Sequence, residues 1–362
     1  MSPEDQARNR RINKELEDQA KQAKREHKLL LLGAGESGKT TLFKQMKLVH
    51  GNKLPVEERL TYVVQIHENI IRNLRILANN VDQHAGGLAN KELEDSKQYI
   101  SAYKNPLIND EYAAHAIKLW ADPNIKKCGL EAGAKFQYQE TVAVFCDQIE
   151  SIVKSGWVPT INDVMKARKQ TSGVHSDQFI IPSEDGTPNT FCLLDVGGQR
   201  GERKKWLPFF DNVSCVLFVA AISEYDQVLV EDNKVNRLQE AINLFETMVN
   251  TPAFAKTPFM LFLNKRDLFK EKIQRVPIQN FFPDYEGPEY ETDCNIDELE
   301  EIQGDFLKMK FLERVVTDER NPRDVPAHLT MATDTSNAAR IFQTVRDAVL
   351  IASLRQAGLV YY

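Results

Sequence analysis

Lys28-Leu29-Leu30-Leu31-Leu32-Gly33-Ala34-Gly35-Glu36-Ser37-Gly38-Lys39-Thr40-Thr41 says more about architecture than any other part of the chain. Its first half, KLLLLG, is a short, continuous apolar run that ends in glycine, which predicts a strand buried on both faces. The second half fits G-x-x-x-x-G-K-[ST] over residues 33–40 and leads into a predicted helix at 42–50. Strand, glycine loop and helix form the context in which this pattern cradles phosphate. Glycines let the backbone turn tightly and approach an anion with no Cβ in the way. The freed N–H groups at the helix N-terminus then point at phosphate oxygens. Lys39 is expected to reach the β- and γ-phosphates, and the Thr40 hydroxyl to ligate Mg²⁺.

Working outward, similar apolar runs return at residues 191–196, 215–222, 259–264 and 328–333. Amphipathic stretches at 234–249 and 337–354 fall between or after them. Strands alternating with helices predict a mainly parallel sheet covered on both faces. Between about residue 51 and residue 166 that rhythm stops. Val63, Ile66, Ile70, Leu74 and Leu77 mark one long amphipathic helix, and Tyr138, Val142, Phe145, Ile149 and Ile152 mark another. A strandless stretch of this length inside an α/β protein predicts an inserted all-helical domain. Residues 4–28 predict a charged helix whose thin stripe of Ile12, Leu16, Ala20 and Ala23 is too narrow to bury much alone, which points to a partner.

Two further motifs sit at strand ends. Asp195-Val196-Gly197-Gly198-Gln199 follows FCLLDV. An acidic residue leaving a buried strand beside a phosphate loop is suited to hold Mg²⁺, usually through water. Gly198 would offer its N–H to a γ-phosphate, and Gln199 would orient an attacking water. Asn264-Lys265-Arg266-Asp267 closes FMLFLNKRD. A carboxylate at Asp267 can accept from guanine N1 and N2 and would reject adenine, which lacks those donors there. Ala332, at the end of the last predicted strand, would meet guanine O6 with its N–H.

Composition narrows the field. With 42% hydrophobic and 27% charged residues, the 362-residue chain reads as globular and long enough for two domains. A net charge of −6 disfavours a general nucleic-acid binder. No apolar run approaches the ~20 residues that span a bilayer, and the opening MSPEDQARNRR lacks the apolar core expected of a secretion signal. Five scattered cysteines without a CxxC, and seven histidines without ligand spacing, predict a reducing compartment and no zinc site.

Taken together, GAGESGKTT, RKQTSG, DVGGQRGERKKW, FLNKRDLF and TMATDTSN resemble the heterotrimeric G-protein α-subunit family, in order and across nearly the whole chain. The resemblance implies a Ras-like GTPase domain with a mainly parallel six-stranded sheet (residues 28–55 and 167–362). It also implies an inserted all-α domain (56–166) and an N-terminal helix (1–27). GTP or GDP with Mg²⁺ would be held by Gly33, Ala34, Gly35, Glu36, Ser37, Gly38, Lys39, Thr40 and Thr41. Met165, Lys166, Arg168, Thr171, Asp195, Gly198, Gln199, Asn264, Lys265, Asp267 and Ala332 complete that set. Arg168 matches the arginine finger supplied in cis, and Thr171 the second Mg²⁺-ligating hydroxyl beside Thr40 and Asp195. Gln199 and Arg168 would be catalytic. Implied partners are a βγ dimer, a G-protein-coupled receptor, an effector and an RGS-type GTPase-activating protein, at the cytoplasmic face of a membrane.

The chain departs from the family pattern at several points. Ser2 stands where many members carry a myristoylated glycine, so membrane contact is expected through partners or another lipid anchor. Lys166, Ser172 and Gly201 replace a usual arginine, threonine and serine, and Ala357 with Tyr361-Tyr362 leaves the receptor subclass open. Rival readings are a GTP-bound adaptor that does not hydrolyse, opposed by the presence of both Arg168 and Gln199, and a phosphate-loop kinase or ATPase, opposed by Asn264-Lys265-Arg266-Asp267.

Overall fold

The computed structural model describes residues 25–50, 54–136, 138–182, 186–229, 231–232, 234–317 and 323–356. Strands β1 (Glu26–Leu32), β2 (Val174–Pro182), β3 (Pro188–Val196), β4 (Cys215–Ala221), β5 (Phe259–Asn264) and β6 (Ala327–Leu329) form one sheet. Their order is β2-β3-β1-β4-β5-β6, and every neighbouring pair is parallel except the β2–β3 hairpin. Helix α1 (Lys39–Val49) follows β1. Between α1 and β2 the described residues hold only helices: α2 (Val56–Leu60), α3 (Val63–Ala85), α4 (Glu94–Ala102), α5 (Asp110–Ala121), α6 (Pro123–Phe136), α7 (Ala143–Cys146), α8 (Ile149–Ile152) and α9 (Ile161–Lys166), with short 3-10 turns. Helices α10 (Arg237–Val249), α11 (Arg266–Lys272), α12 (Ile296–Leu312) and α13 (Thr335–Gln356) complete the set.

The continuously apolar runs are strands because both faces of the sheet are covered. Every residue of β4 and β5 is buried. Alternate residues serve opposite layers. Leu30, Leu32, Val216, Phe218, Leu261 and Leu263 share a core with Leu238, Ile242 and Phe245 of α10 and Phe311 of α12. Leu29, Leu31, Leu217, Val219, Met260 and Phe262 meet Leu42, Phe43 and Met46 of α1 and Phe342, Val345 and Val349 of α13. Full burial of each such side chain contributes roughly 1.5–3 kcal/mol. A separate core joins Ile66, Ile70, Leu74 and Leu77 of α3 to Tyr112 and Leu119 of α5 and to Phe145, Ile149 and Ile152. The fold is thus a Ras-like sheet domain with a helical domain inserted between α1 and β2.

Several sequence expectations need correction. Strand β1 starts at Glu26, inside the stretch assigned to an N-terminal helix (1–27). Glu26 and His27 pair with Thr190 and Phe191, and the buried His27 ring lies 4.9 Å from that of Phe191. The rest of that predicted helix, residues 1–24, and the tail 357–362 lie outside the described residues. The helix predicted through Tyr138–Ile152 is broken into a 3-10 turn, α7 and α8. Backbone N–H groups there mix carbonyl acceptors three and four residues back, as in Gln148 N–H to Phe145 O (3.0 Å) and Ile152 N–H to Gln148 O (3.0 Å). Its five apolar residues are nevertheless all buried. Helix α10 begins three residues later than expected, because the Asn236 side chain accepts from the N–H groups of Leu238 and Gln239 and caps it there. β6 ends at Leu329, which frees residues 330–333 to turn toward the site. β2 itself was not among the predicted strands.

Candidate functional site

The sheet order puts β1 between β3 and β4, so the loops after β1 and β3 meet at a topological switch point, where ligands of open α/β sheets bind. A cavity of about 1140 Å³ opens there. Of the residues expected from the sequence to hold nucleotide and Mg²⁺, all but Gly33 and Ala34 line it. It reaches from the phosphate loop to Glu68, Asn69 and Arg72 of α3 on one side and to Asp267 and Ala332 on the other.

The loop after β1 is shaped by its glycines. Gly33 and Gly38 have φ of +142° and +102°, and a Cβ at Gly38 would collide with the Asn264 carboxamide. Gly38 caps α1 in a left-handed conformation with no side-chain hydrogen bond and no acidic residue in the first turn. The first N–H groups of α1 therefore face the cavity uncapped, as an anion requires. Lys39 lies beneath, its ammonium donating to Gly33 O (3.0 Å) and Ala34 O (2.7 Å). Burial lowers its pKa to about 8 against the opposing pull of Asp195. A phosphate beside it would favour the charged form again.

Three oxygens converge next to Lys39. Thr40 Oγ1 donates to Asp195 Oδ2 (2.6 Å) and lies 2.6 Å from Thr171 Oγ1. Since Thr40 has a single hydroxyl proton, Thr171 must be the donor between the two hydroxyls. Asp195 is fully buried; burial raises its pKa, partly offset by Lys39 and Thr40. Its Oδ1 has no hydrogen-bond partner among the described residues. Hard oxygen donors with a spare buried lone pair suit Mg²⁺, which usually keeps several of its own waters.

Above this point the loops at 166–173 and 195–206 are joined. Gly198 lies so close over the phosphate loop that a Cβ would sit 2.5 Å from Gly33 O and 2.6 Å from Ala34 O. Arg203 donates to Gly198 O (3.1 Å) and to Glu240 of α10 (2.7 Å), which also takes Arg200. Gly173 N–H donates to Glu202 Oε2 (3.0 Å), and the Gln199 carboxamide oxygen accepts from Gln170. The Arg168 guanidinium pairs with Glu36 at 2.5 Å, and Arg237 holds the same Glu36 oxygen at 2.8 Å. Burial would raise the Glu36 pKa, but the two guanidinium charges hold it well below the carboxylate range.

At the far end, Asn264 Nδ2 donates to Ser37 O (2.9 Å), while Asn264 Oδ1 accepts from Ala332 N–H (2.9 Å). The N–H expected from the sequence to meet guanine O6 is therefore donated to Asn264 Oδ1 in this structure. Lys265 sits in a left-handed turn (φ 63°) and pairs with the buried Glu224. Asp267, in the first turn of α11, faces the cavity with no hydrogen bond to the described residues. Met165 packs with Leu54 and Val164 at the cavity wall beside Lys166.

Sequence reading missed Asn69, Gln170, Glu224, Arg237 and Glu240. For Asn69 there was a signal: with Asn73 it interrupts the apolar stripe of α3, and a buried amide there must find partners.

Fold and site together define a Ras-like GTPase. A family model described as "G-protein alpha subunit" matches residues 6–349. The "Guanine nucleotide-binding protein subunit alpha" of Emericella nidulans is 36% identical over 368 residues, covering 99% of each chain. The "Guanine nucleotide-binding protein alpha-1 subunit" of Neurospora crassa is 35% identical over 362 residues (99% of this chain, 97% of that one). The "Guanine nucleotide-binding protein alpha-9 subunit" of Dictyostelium discoideum is 36% identical over 348 residues (95% of each). The chain belongs to the G-protein α-subunit family and is a guanine-nucleotide-binding signalling GTPase.

The buried Trp206, only 2% exposed, links this chemistry to an optical signal: its indole N–H donates to Gly197 O (2.8 Å), one residue before Gly198. Tryptophan fluorescence is expected to rise when GDP is exchanged for a non-hydrolysable GTP analogue with Mg²⁺, and the rise should vanish in Trp206→Phe. An undiminished signal in that variant would assign it to Trp120 or Trp157.

Proposed function

We propose that this protein alternates between a GDP state bound to a βγ dimer and a GTP state that engages an effector, with a membrane receptor promoting exchange. The observation that carries this reading is the convergence of Thr40, Thr171 and Asp195 beside the uncapped N-terminus of α1, with Arg168 and Gln199 on the loops above. Residues 33–41 hold the phosphates, and Asn264, Lys265, Asp267 and Ala332 hold guanine. Thr40, Thr171 and Asp195 would hold Mg²⁺, which would supply positive charge to offset that of the nucleotide's phosphates. Arg168 leaves Glu36 to offset charge developing on the γ-phosphate, and Gln199 leaves Gln170 to orient water. Gly198 gives its N–H to the γ-phosphate and moves when that group departs, so the loops at 166–173 and 195–206 carry the nucleotide state to partners.

In the same reading the division falls at residues 28–55 with 167–362 (GTPase domain) and 56–166 (helical domain). The stripe of Ile12 and Leu16 together with the second loop meets βγ, while α13 and its tail meet the receptor. An RGS-type protein would accelerate turnover, and the protein would work at the cytoplasmic face of a membrane. The test is to identify the nucleotide that co-purifies with the protein and to measure GTP turnover with and without Mg²⁺. GDP in the preparation and Mg²⁺-dependent phosphate release are expected. Adenine nucleotide in the preparation, or turnover indifferent to Mg²⁺, would overturn the assignment.

A further inference from the structure

We propose that Asn69, on helix α3 of the inserted domain, is a positioning residue for hydrolysis that holds the backbone of Arg168. This rests on the reading of Arg168 as the finger and adds to it the group that aims it. Asn69 Nδ2 donates to Arg168 O (2.9 Å) and Arg168 N–H donates to Asn69 Oδ1 (2.8 Å). Both polar groups of one peptide residue are thus met by one carboxamide from 99 residues away. The amide orientation follows from the chemistry, since turning it over would set donor against donor and acceptor against acceptor.

The clamp is itself held rigid. Asn69 is 6% exposed, and its backbone carbonyl accepts from Asn73 Nδ2 (2.8 Å). Asn73 is fully buried, and its Oδ1 accepts from Gln139 N–H (2.8 Å). Ala167, just before the arginine, packs into the core of the inserted domain. The backbone at 167–168, the first residues after the inserted domain, is therefore anchored to that domain's core, while the Arg168 side chain reaches across to Glu36 of the phosphate loop.

Such an arrangement matters to rate more than to affinity. An arginine whose backbone shifts still carries its charge but meets the γ-phosphate oxygens from the wrong place. A misplacement of about 1 Å at a reacting centre costs about 10²-fold in rate. In a purely structural role, Asn69 would satisfy a buried peptide and nothing more, and its loss would be felt equally with or without the guanidinium.

The experiment is single-turnover phosphate release from preloaded GTP in the full chain, with Asn69→Ala and the near-isosteric Asn69→Asp. The second variant keeps an acceptor for Arg168 N–H, replaces the donor to Arg168 O by a repelling oxygen, and guards against a folding defect in the first. Both are expected to slow release by about 10- to 100-fold while GTP and GDP affinities stay unchanged within error. Combined with Arg168→Ala, neither should slow it further. Wild-type rates in folded Asn69 variants, with Arg168→Ala slow, would overturn the proposal and leave the finger standing. An equal fall in the Arg168→Ala background would also overturn it, since Asn69 would then act by another route. A wild-type rate for Arg168→Ala alone would remove the finger and this proposal with it.

Discussion

Phosphate release from preloaded GTP is expected to fall about 10³–10⁵-fold in Arg168→Ala, the range for arginine fingers as a class rather than a value read from these distances. GTP affinity should change little, and the structure says why. Glu36, the partner Arg168 leaves behind, is still held by Arg237 at 2.8 Å, so the variant leaves no unpaired carboxylate beside the phosphates. Gln199→Leu should be similarly slow, because an alkyl side chain can neither accept from water nor donate toward a phosphate oxygen. Residues that act as a unit are not additive, so the double variant should be little slower than the worse single one. All three should persist in the GTP-bound, βγ-released state. Near-wild-type release from Arg168→Ala would make Arg168 a structural partner of Glu36 and no more.

The second large effect concerns the choice of base. The Asp267 carboxylate faces the cavity with no hydrogen bond to the described residues, so none of them competes with guanine N1 and N2 for it. Hydrogen bonds to a charged group each contribute about 1.5–3 kcal/mol, so losing two in Asp267→Asn should weaken GTP by about 10²–10⁴-fold. Xanthosine triphosphate, whose C2 oxygen suits an amide donor, should gain affinity in the same variant. Equilibrium binding of both nucleotides to wild type and variant decides the matter. Unchanged GTP affinity with no gain for the xanthine nucleotide would move base recognition away from Asp267.

How much was legible beforehand depended on the kind of signal. β1, β3, β4 and β5 announced themselves as unbroken apolar runs because the sheet is covered on both faces. β2 did not, since only Phe179 and Ile181 of its nine residues are buried and, Val174 apart, the rest of VHSDQFIIP is polar or exposed, as befits an edge. The phosphate loop and residues 264–267 stood out because each is a short contiguous motif at the end of an unbroken apolar strand. The Arg168–Glu36–Arg237 and Gln170–Gln199 pairs join segments up to 201 residues apart, and no local pattern encodes such encounters. The inserted domain was visible as an absence of strands. Its broken segment at 138–152 kept helical spacing of apolar residues but not unbroken helical hydrogen bonding, which spacing alone cannot distinguish.

Asn264 has a consequence of its own. A single carboxamide touches the carbonyl of Ser37 in the phosphate loop and the N–H of Ala332 in the loop proposed to meet the base. Grip on one end of a nucleotide is therefore mechanically tied to grip on the other. Tripolyphosphate without a base, or guanosine without phosphates, would each leave this strut under-braced. Their separate binding energies should sum to less than that of the intact nucleotide by more than the entropy of linking two fragments explains. The site weighs the molecule whole.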